Sequence, residues 1–365
     1  VSAKLVNRQR IEVASNRPYP VFLGVPLEGL GDYLKTRSLT VDNILVISTP
    51  NVADRYLDRL LAGLKDFKAD FISVPDGEEQ KSLDRIDLLT SEAVSLGIDR
   101  SSLVIAFGGG VIGDLAGFFA SIYMRGIRLI QVPTTLLAQV DSSIGGKVAV
   151  NHSAGKNLLG AFYPPLAVWT DFTTLETLPW SEFQNGLAET IKHALIADYE
   201  LFSYLEKYTE EIKQGNSAVW REMVTRSLAV KVKKVAEDEL EQGARALLNL
   251  GHSFGHALET ELEYKGITHG QGVSVGLAAA ACLAQGRGML TLAELNRITG
   301  LLQGFGLMTR IKAGTAERLL QHMQTDKKNK AGQKILILPK GIGQAMIVKD
   351  CTDQEIIAAW QGVLQ

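Results

Sequence analysis

Cysteine is nearly missing from this chain: Cys282 and Cys351 are the only two in 365 residues. Two thiols build neither a disulfide framework nor a cysteine-rich zinc module, and they suit a reducing compartment. An excess of one charge is missing too. The formal net charge is -2, which excludes a global basic field for gathering nucleic acid. An anionic ligand therefore needs a local basic site. No apolar run approaches the roughly 18 residues of a membrane span, and no charged-then-apolar leader opens the chain. These features predict a cytoplasmic protein without nucleic-acid or membrane partners, or a plastid one after removal of a transit peptide. Histidine is also scarce, with six in all, yet three fall between positions 252 and 269. Imidazole is the commonest metal ligand and titrates near neutrality, so chemistry is expected in that stretch.

What is present is a globular composition long enough for two domains. Buried-strand patterns at 44–48, 71–75, 102–107 and 128–132 are separated by stretches that include helical patterns at 51–65 and 82–96. Such alternation predicts a parallel α/β sheet. Beyond Leu178-Pro179 the texture becomes helical: 182–197, 200–213, 219–239, 245–262, 270–287 and 292–305. There, only 334–338 and 345–348 look extended, as a hairpin around Gly341-Ile342-Gly343. The expected division is an α/β domain over 1–180 and a mostly helical one over 181–365.

Phe107-Gly108-Gly109-Gly110-Val111-Ile112-Gly113-Asp114 follows a predicted strand and opens a predicted helix. Gly108, Gly110 and Gly113 satisfy G-x-G-x-x-G. Missing side chains let the backbone approach a pyrophosphate, and the helix N-terminus supplies N–H donors. The usual ribose-binding acid about 20 residues further on is absent, so a plain glycine-requiring βα turn is the competing reading. Thr134 and Thr135 follow the next strand and could cap a helix or touch phosphate or ribose. The stretch 141–163 offers Asp141, Lys147, Lys156, Asn157 and several glycines, and reads as a functional loop rather than a solvated one. Phe162 and Pro164-Pro165 suggest that it is packed down.

His252 and His256 are four apart and share a helix face, with His269 in a turn before the next helix. A catalytic zinc takes three ligands from His, Asp and Glu and keeps one position open. Glu189, on a helix with Lys192 and His193, is the acidic candidate. Position alone leaves open which of these groups coordinate. Arg245 and Asn249 are spaced i, i+4, and His252 and His256 continue that face of the predicted helix. An exposed polar helix face is the bland alternative.

Taken together, these segments resemble the 3-dehydroquinate synthases of the sugar-phosphate cyclase superfamily. The likeness runs over about 43–345 and includes PDGEEQK ending at Lys81, GGGVIGD, Tyr123-Met124-Arg125-Gly126, VDSSIGGK, GKNLLGAFYPP, GLAETIKHALI, NLGHSFGHALE, His269-Gly270 and Thr325-Asp326-Lys327-Lys328. Related cyclases that make inosose or valiolone rings share the metal and glycine motifs. The contexts of Gly145-Gly146-Lys147 and Lys156-Asn157 look like the dehydroquinate branch.

The resemblance implies a dehydroquinate synthase-like fold: an α/β nucleotide-binding domain with a parallel sheet, then a mostly helical metal and substrate domain. It implies NAD+, a divalent metal (Zn2+ or Co2+) and a homodimer. The substrate would be an anionic sugar phosphate, 3-deoxy-D-arabino-heptulosonate 7-phosphate. Family members oxidise C5, eliminate phosphate, reduce C5 again, open the ring and close a carbocycle by aldol addition, with no net redox change. By motif, Glu189, His252 and His269 would bind the metal, and His256 would transfer protons. Lys147, Lys192, Lys231, Arg245, Asn157, Asn249 and Lys327 would hold phosphate and carboxylate, with Arg125 reaching from a second subunit. Asp141 would face substrate and nicotinamide. NAD+ contacts would include Asn51, Glu78, Lys81, Gly109, Gly110, Val111, Asp114, Thr134, Thr135, Leu137, Asp141, Ser142, Lys147, Lys156, Thr177, Leu178 and Glu182, with Glu78 as the ribose acid.

Two positions depart from the family pattern. Thr49-Pro50-Asn51 stands where an Asp-x-Asn turn is usual, and His269-Gly270-Gln271 where His-Gly-Glu is usual. Other readings are another sugar-phosphate cyclase, an iron- or zinc-dependent alcohol dehydrogenase, and a non-catalytic binding protein. A dehydrogenase has little need of so many anion-binding lysines.

Overall fold

The computed structural model describes residues 10–37, 41–241, 243–263, 265–325 and 335–365. It divides into two compact units, Val1–Leu178 and Pro179–Gln365. Thr325 lies at the edge of a stretch outside the described residues, and Lys327 lies within it.

In the first unit the strands are β1 (Arg10–Val13), β2 (Tyr19–Leu23), β3 (Asn43–Ser48), β4 (Lys68–Ser73), β5 (Leu103–Gly108), β6 (Arg128–Pro133), β7 (Lys147–His152), β8 (Gly155–Phe162) and β9 (Ala167–Thr170). Seven join in one sheet, ordered β1-β2-β9-β6-β5-β3-β4. From β2 to β4 every pairing is parallel, whereas β1 pairs with β2 antiparallel. The connection 14–18 is too short for a parallel crossover, which needs a dozen or more residues. The strand runs look continuously apolar because both faces of the sheet are covered. Ile44 and Val46 enter one core with Leu60, Ile105 and Trp169; Leu45 and Ile47 enter the other with Leu89, Leu115 and Phe119.

The expected loop at 141–163 is largely a hairpin, with β7 paired antiparallel to β8. Val148 and Val150 bury into the second core and anchor it, while Phe162 is 46% exposed and does not pack it down.

Among the described residues, the regular structure of the second unit is helical apart from the hairpin of β10 (Leu336–Pro339) and β11 (Ala345–Val348). Two helices absent from the sequence reading, Ala316–Thr325 and Asp353–Val363, complete it. Arg287, which ends the helix His269–Gly286, pairs through Nε with Glu355 Oε1 at 2.7 Å. Thr352 and Glu355 form a capping box at the start of the last helix. The Arg287 hydrogen bond, then those from Thr352, hold the Glu355 carboxyl down at about 2 from 4.5. A depressed carboxylate stabilises the fold above its unfolded pKa and loses that contribution as pH falls towards the folded value. Glu355→Gln should therefore lower the thermal midpoint at pH 6, with the gap to the parent closing between pH 4.5 and 2. A gap that persists at pH 2 would argue against this.

Candidate active site

In the first unit β5 ends at Gly108, and the helix Gly110–Ile122 starts at once, so its free N–H groups stand at the carboxyl edge of the sheet. The glycines keep that space open. A Cβ on Gly109 would lie 3.1 Å from Thr135 Cγ2, and one on Gly110 3.2 Å from Ser142 Oγ. Thr135 Oγ1 accepts from Ala138 N at 3.2 Å and so serves as a cap, whereas Thr134 Oγ1 is buried with no hydrogen-bond partner. An open glycine cradle, a helix N-terminus and an orphaned buried hydroxyl fit a dinucleotide. Asp141 and Ser142 lie in a single π turn, Ala138–Ser142, a distortion that re-aims side chains and is frequent at functional sites. Val111, Leu137, Asp141 and Ser142 are all half-buried there.

Beside this turn, Lys81 Nζ donates to Asp114 Oδ2 at 2.7 Å and to Asn157 Oδ1 at 2.7 Å, with Glu78 Oε1 at 3.5 Å. Burial alone would depress the Lys81 ammonium, but the Asp114 and Glu78 carboxylates outweigh it and hold its pKa above the ordinary value. Burial raises Asp114, and Lys81 offsets part of that. Asn157 has φ 53 and donates its backbone N–H to Asn151 Oδ1 at 2.9 Å; Asn151 Nδ2 donates to Glu78 Oε1 at 2.8 Å. Asn157 thus joins the Lys81 cluster, a placement its assignment to the phosphate clamp did not foresee. Asn151 was not singled out from the sequence.

Other expected contacts are more dispersed. Asn51 Nδ2 donates to Asp76 Oδ2 at 2.6 Å, and Thr49, at the head of the same helix, makes no side-chain capping bond. Thr177 Oγ1 meets Tyr56 OH at 2.5 Å, and Leu178 is half-buried. Lys147, Lys156 and Arg125 are exposed, and Arg125 follows Met124 in left-handed backbone, with φ 67 and 49.

In the second unit the helix Trp180–Ala197 is buried along most of its length and carries Glu189, Lys192 and His193 inside. Buried charge on an apolar helix is the informative exception. Lys192 Nζ contacts Glu189 Oε2, which leaves Oε1 facing the imidazoles: His269 Nε2 at 3.2 Å and His252 Nε2 at 3.6 Å. His193 Nδ1 instead meets Ser227 Oγ at 2.9 Å. Glu182, near the helix start, accepts from Asn185 Nδ2 at 3.2 Å.

The single helix expected over 245–262 is broken. Ala244–Asn249 is a 3-10 turn, Gly251 adopts φ 79, and a new helix, His252–Glu261, begins. Arg245 and Asn249 therefore do not continue the face of His252 and His256. Arg245 is buried and donates to Glu239 O, while Asn249 Nδ2 donates to Glu241 Oε1 at 2.6 Å. Lys231 is buried on the helix Ser217–Glu237.

Glycines bring the two histidine-bearing helices into backbone contact. A Cβ on Gly276 would lie 2.0 Å from Gly251 O, and one on Gly255 3.0 Å from Gly272 O. The His252 ring consequently stands 5.6 Å from that of His269, while His256, one turn along its own helix, is also 5.6 Å away. His269 opens its helix behind a capping box in which Thr268 N donates to Gln271 Oε1 at 2.9 Å. An amide serves this box as well as a carboxylate does, which accounts for Gln271 at the departing position.

Burial opposes protonation of His269, but Glu189 and Glu259 raise its pKa to about 10. Burial first, then Lys192, push His252 well below its ordinary range. The donor atoms of Glu189, His252 and His269 all lie within 4.8 Å of one another. Two imidazoles and a carboxylate at that spacing fit a divalent metal with an open position. Glu259 and Glu241 were missed from the sequence. Glu259 had a signal, because it continues the i, i+4, i+7 face of His252 and His256; Glu241 had none.

This fold is that of the sugar-phosphate cyclases. It is similar to 2-epi-5-epi-valiolone synthase from Streptomyces hygroscopicus subsp. jinggangensis 5008, solved with NAD+ and Zn2+ bound. That match has TM-score 0.86 and 29% identity, over 97% of this chain and 99% of that one. It is also similar to 2-deoxy-scyllo-inosose synthase complexed with carbaglucose-6-phosphate, NAD+ and Co2+, with TM-score 0.81 and 26% identity, over 96% and 99%. The family models for the N-terminal and C-terminal parts of 3-dehydroquinate synthase match residues 71–185 and 186–329. The 3-dehydroquinate synthase of Pseudoalteromonas translucida is 44% identical over 94% of this chain and 96% of its own. The chain belongs to the 3-dehydroquinate synthase family.

Proposed function

We propose that this protein is a 3-dehydroquinate synthase, a phosphorus-oxygen lyase that converts 3-deoxy-D-arabino-heptulosonate 7-phosphate to 3-dehydroquinate and phosphate. The observation that carries the reading is the Glu189–His252–His269 donor set on a chain matched by both parts of the family. In the first unit the Gly109-Gly110 cradle, Thr134 and the Lys81 cluster would hold NAD+; in the second, Glu189, His252 and His269 would hold Zn2+ or Co2+. When bound, the metal acidifies a substrate hydroxyl and the nicotinamide takes up and returns a hydride. His256, one helical turn from His252, moves the proton. Lys192, Lys231, Arg245 and Asn249 supply the local positive charge and hydrogen bonds that a chain of net charge -2 needs for an anionic sugar phosphate. The departing phosphate serves as the base for its own elimination.

Among the described residues no helix is long and apolar enough to cross a membrane. Two thiols and bacterial relatives support a cytoplasmic enzyme. Exposed Arg125, with exposed Ile122 and Met124 beside it, supports a homodimer in which Arg125 serves the partner's site.

Incubation with the heptulosonate phosphate, NAD+ and zinc should release inorganic phosphate with no net NADH. Steady accumulation of NADH would identify a dehydrogenase and sink the reading. The likeness to the valiolone and inosose synthases favours one alternative, a different cyclase. Turnover of a hexose phosphate but not of the heptulosonate would establish it.

A further inference from the structure

We propose that Glu259 is a positioning residue for the metal site, holding the ring of His269 so that Nε2 faces the other donors. The inference rests on the metal reading above. His269 lies between two carboxylates: Nε2 is 3.2 Å from Glu189 Oε1, and Nδ1 is 3.5 Å from Glu259 Oε1. Glu259 keeps only 9% of its side chain exposed. A buried carboxylate is costly unless a positive or hydrogen-bonding group compensates it, and the Nδ1–H of His269 is such a group. The helix His252–Glu261 thus carries three roles along one face: a ligand at His252, a proton carrier at His256 and the orienting carboxylate at Glu259. The Gly255–Gly272 contact holds that helix against the one His269 opens.

An imidazole ligand is useful only in the right tautomer and rotation. A carboxylate on the second ring nitrogen sets both and raises the basicity of the ligating nitrogen. Glu189 cannot supply this for His269, because its Oε1 lies on the Nε2 side with His252.

The test uses the purified full-length protein, with zinc affinity read by competition against a chromogenic chelator and the Co2+ absorption spectrum read in parallel. Glu259→Ala should weaken zinc binding about ten- to hundredfold and shift the Co2+ spectrum. Glu259→Gln, which keeps an acceptor but drops the charge, should lie between Glu259→Ala and the parent. Both should melt within a few degrees of the parent in excess chelator, since the role is exercised on the ligand rather than on the core. If Glu259→Ala does not fold, Glu259→Gln alone decides. Parental zinc affinity in the folded variants, while His269→Ala binds weakly, would overturn the proposal. Parental affinity in His252→Ala and His269→Ala would instead overturn the metal assignment itself.

Discussion

His252→Ala is expected to yield a folded protein that retains no stoichiometric zinc after dialysis and turns over at least about a thousandfold more slowly. Its imidazole supplies one of three donors within 4.8 Å, with Nε2 3.6 Å from Glu189 Oε1, so its loss leaves Glu189 and His269 alone. Two ligands do not hold a catalytic zinc in place of three. The metal is asked for several kcal/mol of charge stabilisation, and each 1.4 kcal/mol is roughly tenfold in rate. His256→Ala is the contrasting variant. It lies outside the donor set, so zinc content should stay stoichiometric while kcat falls about 10²–10⁴-fold, the usual range for one general acid–base group. Metal analysis and steady-state rates on the two proteins separate ligand from proton carrier. An empty site in His256→Ala would show that the ligands are misassigned.

Gly276→Ala should destabilise the protein by about 1–3 kcal/mol, the range for overpacking. An exposed helical glycine replaced by alanine ordinarily gains about 0.5–1 kcal/mol from reduced backbone freedom. Here the added carbon would sit 2.0 Å from Gly251 O, which is backbone and has no rotamer to turn away. Steric repulsion wins, and the helices carrying His252 and His269 must separate. Zinc affinity should fall together with the thermal midpoint. Gly300→Ala is the control: it lies in the helix Leu292–Gly304 with no heavy atom within 4 Å of an added Cβ, so it should stabilise or be neutral. Equal midpoints for the two variants would refute the close helix contact.

The buried strands were legible because 44–48, 102–107 and 128–132 are short apolar runs bounded by turn residues, and a run covered on both faces needs no alternation. The hairpin β7–β8 was not. Its residues are rich in glycine and polar groups; Val148 and Val150 bury into the core, and Leu159 and Ala161 pack against it only in part. The break before His252 was hidden for a different reason. A glycine inside a helical pattern reads equally as tolerated or as a terminator. What decides at Gly251 is φ 79 together with Leu277 N only 2.9 Å from where a Cβ would be, a contact from another helix. The same misreading placed Arg245 and Asn249 on the histidine face.

The sequence by itself determined the order of an α/β half and a helical half, the family, and the residue types available for chemistry, because these are written in local periodicity and short motifs. Only the tertiary structure decided that Glu189 meets His252 and His269 through one oxygen, that Lys192 occupies the other, and that Glu259 stands behind His269. Those pairings join residues up to 80 positions apart. The meeting of His252 with His269 depends on how closely two backbones approach at a glycine seam, a distance that no local pattern in the chain encodes.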